Sequence, residues 1–311
     1  MSDLDTGWLA GFVEPLRVAP HAKVTLPADF DPGARFGLAK KKDGSKLLSQ
    51  GVALLAEYQA RLAAQGSHAV LVVLQAIDAA GKDGTIRHVM TGVNPQGVRV
   101  SGFKAPTAEE LSHDYLWRHA RQLPAQGEIG IFNRSHYEEV LAVRVHPENL
   151  DREGVEPSQG IWHRRYREIN DWERYLTGNG IRLVKLFLNV SKEEQRIRFL
   201  KRIDRPEKNW KFSAADAMER RHWDEYQSAY SEMLSHTSTE WAPWHVLPAD
   251  HKWFTRVCAA AVIARALADI DPRYPVPGKA ALQDLQRART ELETEAPPGA
   301  AADPVEAKQA D

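Results

Sequence analysis

One cysteine, Cys258, is the only thiol among 311 residues. That excludes a disulfide framework and any metal site built on several cysteines, and leaves core packing on a helix as its expected role. No apolar run is long enough to span a bilayer. The first residues, Met1-Ser-Asp-Leu-Asp5, are acidic and lack the apolar core of a secretory signal. The chain is therefore expected to be soluble and cytoplasmic. An excess of charge of one sign is missing too, since 41 Lys+Arg against 42 Asp+Glu leave a formal net charge of -1. The chain as a whole is no polycation, so any site for a polyanion must come from local clustering. The twelve histidines include no H-x-x-x-H pair beside a glutamate, which argues against a zinc site of that kind. His88, His113, His119 and His136 are expected to be structural, and the tryptophans to be core or interface.

What is present is the composition of a folded α/β protein, with 43% hydrophobic and 27% charged residues. Residues 1–38 are rich in Pro, Gly and isolated aromatics and read as an irregular arm. A helical pattern runs from Lys40 to about Gln65, with Leu47, Leu48, Leu55 and Leu62 on one face. Strands are expected at 69–75, Val98 to Phe103, Glu128 to Phe132, Ile181 to Val190 and Trp244 to Leu247. Helices are expected from Asp83 to about Thr91, His113 to Gln122, around Trp162 to Leu176, Ser191 to about Ile203, from after Ser213 to about Ser235, and Lys252 to Ala268. Thr107-Ala-Glu-Glu110 and Ser191-Lys-Glu-Glu194 read as capping boxes. Residues 273–311 are rich in Ala, Pro, Glu and Gln, and the stretch from Glu295 reads as a disordered tail. Alternating strands and helices predict a parallel sheet covered on both faces, with ligands at the carboxyl edge of its strands.

The densest chemistry lies at the first strand. Leu71-Val-Val-Leu-Gln-Ala-Ile-Asp-Ala-Ala-Gly-Lys-Asp-Gly-Thr85 passes from an apolar strand through small residues into a helix. That is the layout of a phosphate-binding loop, in which backbone amides, a helix N-terminus and one lysine close on phosphate oxygens. Ala80, Gly81, Lys82, Asp83, Gly84, Thr85 and Arg87 are its candidate phosphate contacts. Ala76 replaces the first loop glycine, and Asp83 stands where Ser or Thr usually follows the lysine. Asp78 puts a carboxylate beside the phosphates, which fits if a divalent cation lies between them. The alternative, a helix cap, would place it nearer the first turn. Lys82 at a helix start is at the wrong end for a merely solvated cation.

A second group follows the strand ending at Phe132. Asn133 and Arg134 should reach the same edge, and Glu138 can supply the negative charge that Asn133 lacks. Asp78, Asn133 and Glu138 are the candidate metal ligands. A third group is basic: Arg196, Arg198, Lys201, Arg202 and Arg205 on and just past a helix, then Lys208 and Lys211 around Trp210. A basic helix leading into a basic loop, about 196–215, has the form of a lid over a transferring phosphoryl group. The bland alternative is a solvated face balanced by Glu193, Glu194, Asp204 and Glu207.

These residues resemble a known family. Asp78-Ala-Ala-Gly-Lys-Asp-Gly-Thr85, Gly92-Val-Asn-Pro-Gln-Gly97, Phe132-Asn-Arg-Ser-His-Tyr-Glu138, Arg198-Phe-Leu-Lys-Arg-Ile-Asp204 and Lys208-Asn-Trp-Lys-Phe-Ser213 look like the family-2 polyphosphate kinases, over residues 25 to 270. The form Phe-Asn-Arg-Ser-His-Tyr-Glu resembles class III, associated with phosphorylation of both AMP and ADP. The resemblance implies a thymidylate-kinase-like P-loop fold, with a phosphotransferase domain over 39–272. It implies reversible transfer of a terminal phosphoryl group from inorganic polyphosphate to AMP and ADP, with GMP and GDP as further acceptors. Mg²⁺ would be the cofactor and Mn²⁺ its substitute. Asp78 would bind the metal, and Lys82 and Arg134 would hold the transferring phosphate. Arg198, Lys201, Arg202, Lys208 and Lys211 would cover polyphosphate. It further suggests a homodimer or homotetramer, with no nucleic acid or membrane partner. Two competing readings are an ATP-dependent nucleoside or nucleoside-monophosphate kinase and a non-catalytic polyanion- or RNA-binding protein. Asp78 in the phosphate loop speaks against the second, since binding alone needs no carboxylate there.

Overall fold

The computed structural model describes residues 6–152, 154, 155, 158, 160–209 and 214–297. They fall into two units, divided after Arg273. The first is built on five strands: β1 (Ala69–Gln75), β2 (Val98–Gly102), β3 (Ile129–Asn133), β4 (Ile181–Asn189) and β5 (Trp244–Pro248). Their order in the sheet is β2-β3-β1-β4-β5, and every pairing is parallel. Each crossover therefore carries helix across a face. All seven residues of β1 are buried, as a central strand covered on both sides requires.

The helices that position the site are α1 (Lys41–Gln65), α2 (Lys82–Val89), α3 (Ile161–Gly178), α4 (Lys192–Ile203), α5 (Ala214–Glu219), α6 (Trp223–Thr237) and α7 (Lys252–Ile270). Alanine-rich α7 is buried along most of its length and packs against α1. Close approach depends on glycine there: a Cβ on Gly44 would meet the Trp253 ring at 2.3 Å, and one on Gly51 would meet Ala260 at 3.0 Å. The segment before α1 is short helices and turns that place Leu9, Leu16 and Val18 in the core.

Three local expectations are revised. The helix expected over His113 to Gln122 shrinks to Trp117–Ala120, because the Asp114 side chain accepts from Leu116 N at 2.9 Å and holds a turn instead. The capping box at Thr107 forms with both bonds, whereas at Ser191 only the cap forms. The Glu194 carboxylate accepts from Arg198 Nε at 2.8 Å. The helix expected to run from after Ser213 to about Ser235 is α5 and α6, joined by a 3-10 turn at Arg220–His222.

The second unit carries helix α8 (Lys279–Thr294), where composition had suggested only a tail. Its Ala, Leu, Gln, Glu and Arg are strong helix formers. Most of the stretch from Glu295 lies outside the described residues.

Candidate active site

The carboxyl ends of β1 and β3 are neighbours, with Leu74 opposite Asn133 in the register. The loop after each strand thus opens on the same edge. Gln75, the last residue of β1, donates to Ser135 Oγ at 3.0 Å and ties the two loops together. Arg134 N donates to Leu74 O at 3.1 Å, and φ of Arg134 is 63°, a left-handed conformation unusual for arginine.

From that position the Arg134 guanidinium reaches both candidate carboxylates. It lies 2.6 Å from Asp78 Oδ1 and 3.6 Å from Glu138 Oε2. Burial would push the Asp78 carboxyl up, but Lys82 and Arg134 hold it below the ordinary carboxylate range. Glu138, with a smaller effect from Asp78, raises Arg134 further, against burial. Asn133 turns its amide nitrogen to Asp83 Oδ1 at 2.9 Å.

The phosphate loop, residues 76–81, is held from behind. Lys82 Nζ donates to Ala76 O at 2.6 Å, Gln195 Nε2 to Asp78 O at 3.0 Å, and Arg198 Nη1 to Ala79 O and Ala80 O at 3.1 and 2.6 Å. Within a peptide unit N–H and C=O point opposite ways, so capturing these carbonyls turns the Ala79 and Gly81 amides away from them. The loop takes left-handed turns at Ala79 (φ 63°) and Gly81 (φ 113°), and α2 begins at once after Gly81. The result is a set of backbone amides at a helix N-terminus, an arrangement whose partial positive charge suits an anion. Burial, with Arg134 alongside, pushes the Lys82 ammonium below its ordinary value.

Arg198 is the main departure from expectation. Beyond its bonds to the loop, it donates from Nη2 to Ala249 O at 2.5 Å and Asp250 O at 3.3 Å, and from Nε to Glu194. All five of its N–H groups have partners, and it is 5% exposed. It clamps the loop and has no donor left to cover polyphosphate. Arg87 sits in the last turn of α2, where a cation suits the helix C-terminus. Thr85 is buried, and its N–H bonds to Gly81 O. On α4, Lys201 is exposed and Arg202 is near enough to lower Asp78. The Lys208 side chain and all of Lys211 lie outside the described residues.

A buried ion pair supports the β3 loop. Lys185 on β4 donates to Glu173 Oε2 at 2.6 Å, Tyr137 Oη at 2.9 Å and Thr237 O at 2.6 Å, while Tyr137 donates to Glu173 Oε1 at 2.7 Å. Burial opposes charge on Glu173, yet Lys185 keeps it below the usual range. Tyr137, three residues past Arg134, is thereby fixed. Gln195, Lys185 and Glu173 were missed in the sequence. A buried polar residue on a helix or strand carries no local mark; only the three-residue spacing of Gln195 from Arg198 hinted at a shared face.

The donor set fits a divalent metal ion. Mg²⁺ is usually held by one or two carboxylates plus phosphate oxygens and water. Asp78 keeps Oδ2 beyond its bond to Arg134, and Glu138 flanks the same guanidinium. Among the described residues no cluster of three or more His, Cys, Asp or Glu forms an all-protein metal cage.

Residues 38–275 match the family model for polyphosphate kinase 2. The chain is 49% identical over 283 residues to the ADP-polyphosphate phosphotransferase of Rhodopseudomonas palustris, covering 89% of this chain and 96% of that protein. It is 49% identical over 265 residues to the AMP/ADP-polyphosphate phosphotransferase of Meiothermus ruber, covering 84% and 95%. The crystal structure of polyphosphate kinase 2 from Arthrobacter aurescens is similar with a TM-score of 0.80 at 42% identity, over 88% of this chain and 96% of that one. With its five-stranded parallel sheet, its phosphate loop and these relatives, the chain belongs to the polyphosphate kinase 2 family.

Proposed function

We propose that this polyphosphate kinase transfers the terminal phosphoryl group of inorganic polyphosphate to AMP and to ADP, reversibly, with Mg²⁺ as cofactor and Mn²⁺ as a working substitute. The observation that carries it is the Asp78–Arg134–Glu138 group beside Lys82 at one sheet edge. The names of the Rhodopseudomonas and Meiothermus relatives support the donor and the acceptors, and set aside the ATP-dependent kinase reading. A relative named GDP-polyphosphate phosphotransferase supports guanine nucleotides as further acceptors.

The terminal P–O–P bond of the chain breaks, and a new P–O bond forms to a terminal phosphate oxygen of the acceptor. That oxygen is already ionised, so little general-base help is needed. Rate comes from in-line positioning and charge neutralisation. Lys82 and Arg134 hold oxygens of the moving group, and the loop amides hold its neighbours. Asp78 and Glu138 would hold the metal, with Asn133 offering a neutral oxygen. When bound, the ion would neutralise phosphate charge and draw electron density from phosphorus. Arg202 and Lys201, with Lys208 and Lys211, would cover the polyphosphate chain as a lid. We further propose that the enzyme works in the cytoplasm, as a homodimer or homotetramer.

The test is ATP formation by the purified protein with MgCl₂ and long-chain polyphosphate, supplied with AMP alone or ADP alone. ATP from both is expected. ATP from ADP only would keep the donor and reject the acceptor range. Turnover only when ATP replaces polyphosphate would reject the donor.

A further inference from the structure

One buried tyrosine differs from its neighbours. Tyr137 and Tyr226 donate to Glu173 and Glu219, and Tyr166 accepts from Arg144. Tyr230, on the same helix α6 as Tyr226, has no hydrogen-bond partner for its hydroxyl among the described residues. It is only 3% exposed, yet its oxygen is not one of the fully enclosed, unpartnered polar atoms. A buried hydroxyl normally finds a partner. Here the donor is kept in reserve at an opening.

The fold shows where that opening lies. The Tyr230 ring packs on Phe187 with centroids 4.5 Å apart. Phe187 is the register partner of Gln75, the residue before the phosphate loop. Helix α6 also packs against His136–Val140, the turn that carries Glu138. Tyr230 therefore stands at the carboxyl edge of β1 and β4, facing the region between the loop and Glu138. In agreement, burial first, then the charges of Glu138 and Asp78, push its phenol well above the ordinary value, so it stays a neutral donor at working pH.

The geometry points to Tyr230 as a further catalytic residue, its O–H donating to an oxygen of the transferring phosphoryl group. A neutral donor suits this place. Asp78 and Glu138 already face Arg134, and a phosphoryl oxygen entering among them gains a hydrogen bond without another fixed charge. Sequence alone does not mark it, because Tyr226 and Tyr230 share one helix face and read as core.

The inference rests on the phosphotransferase reading, and Tyr230→Phe tests it on the full chain. Phenylalanine keeps the ring against Phe187 and removes only the hydroxyl. Initial rates with Mg²⁺, polyphosphate and ADP should show kcat lower by about 10- to 100-fold, KM for ADP within about twofold, and an unchanged melting temperature. Equal kcat/KM in the two proteins overturns the assignment. So does a loss that follows a lowered melting temperature and vanishes where both proteins are fully folded. The ratio is read with whichever donor the wild type uses, so failure of the polyphosphate reading would show in the wild type alone.

Discussion

Arg134 Nη2 lies 2.6 Å from Asp78 Oδ1, across 56 residues of sequence. The contact joins the loops of two neighbouring parallel strands, and it sets the electrostatics of the site. With the charge of Lys82 also acting on it, Asp78 stays ionised under conditions where burial alone would favour the neutral acid.

Removing either member of the loop pair should stop turnover without unfolding the protein. Lys82→Ala and Asp78→Ala are each expected to lower kcat/KM by about 100-fold or more, with circular dichroism unchanged. Rates near the wild type in either variant would sink the proposed mechanism. The assay is polyphosphate-driven ATP formation under initial-rate conditions.

Arg198 should behave as a structural clamp. Arg198→Ala leaves the Ala79, Ala80 and Ala249 carbonyls without their shared donor, and should cost about 2–4 kcal/mol of stability together with most activity. Arg198→Lys should recover little, because an ammonium cannot reproduce the guanidinium fork. Urea denaturation separates this from the alternative. A polyphosphate-covering role would raise KM for polyphosphate and leave stability alone.

The Glu173–Lys185 pair offers a sharper stability test. Lys185→Met strands a buried carboxylate and should destabilise the fold by about 3–5 kcal/mol. Adding Glu173→Leu should restore part of that loss, since an apolar pair removes the uncompensated charge. Chemical denaturation of the two variants checks the order, and a double variant weaker than the single one would contradict it.

Two pH effects follow from the shifted groups. The folded-state value of Asp78 is depressed, so its stabilising contribution is present above the ordinary carboxylate value of 3.8 and is lost as pH falls through the depressed value. Asp78→Asn should therefore flatten the acid side of the melting-temperature profile. Lys82 is depressed as well, so the alkaline fall of kcat/KM should begin below its ordinary 10.5. Lys82→Arg, slower throughout, should move that fall upward because guanidinium keeps its proton.

Chelation should abolish turnover and leave the fold intact. EDTA in excess is expected to reduce ATP formation to background, and Mg²⁺ or Mn²⁺ to restore it. An unchanged melting temperature would match the absence of an all-protein cage among the described residues.

By itself the sequence determined the central strand at 69–75, the phosphate loop that follows it, the second arginine-bearing loop and the alternation that makes the sheet parallel. Those features are local: hydrophobic runs, small residues at a turn and a cap before a helix act over a few positions. Tertiary structure alone decided which side chains those loops meet. Arg198 reads as one more cation of a basic helix until the chain brings it to Ala79, 119 residues away, and uses every donor it has. Tyr230 reads as core until α6 docks against the turn that carries Glu138 and leaves its hydroxyl without a hydrogen-bond partner among the described residues. The same is true of Lys185, whose charge is tolerable in the sheet only because Glu173 and Tyr137 arrive from elsewhere. Burial and partnership are properties of the packed chain, and no window of sequence contains them.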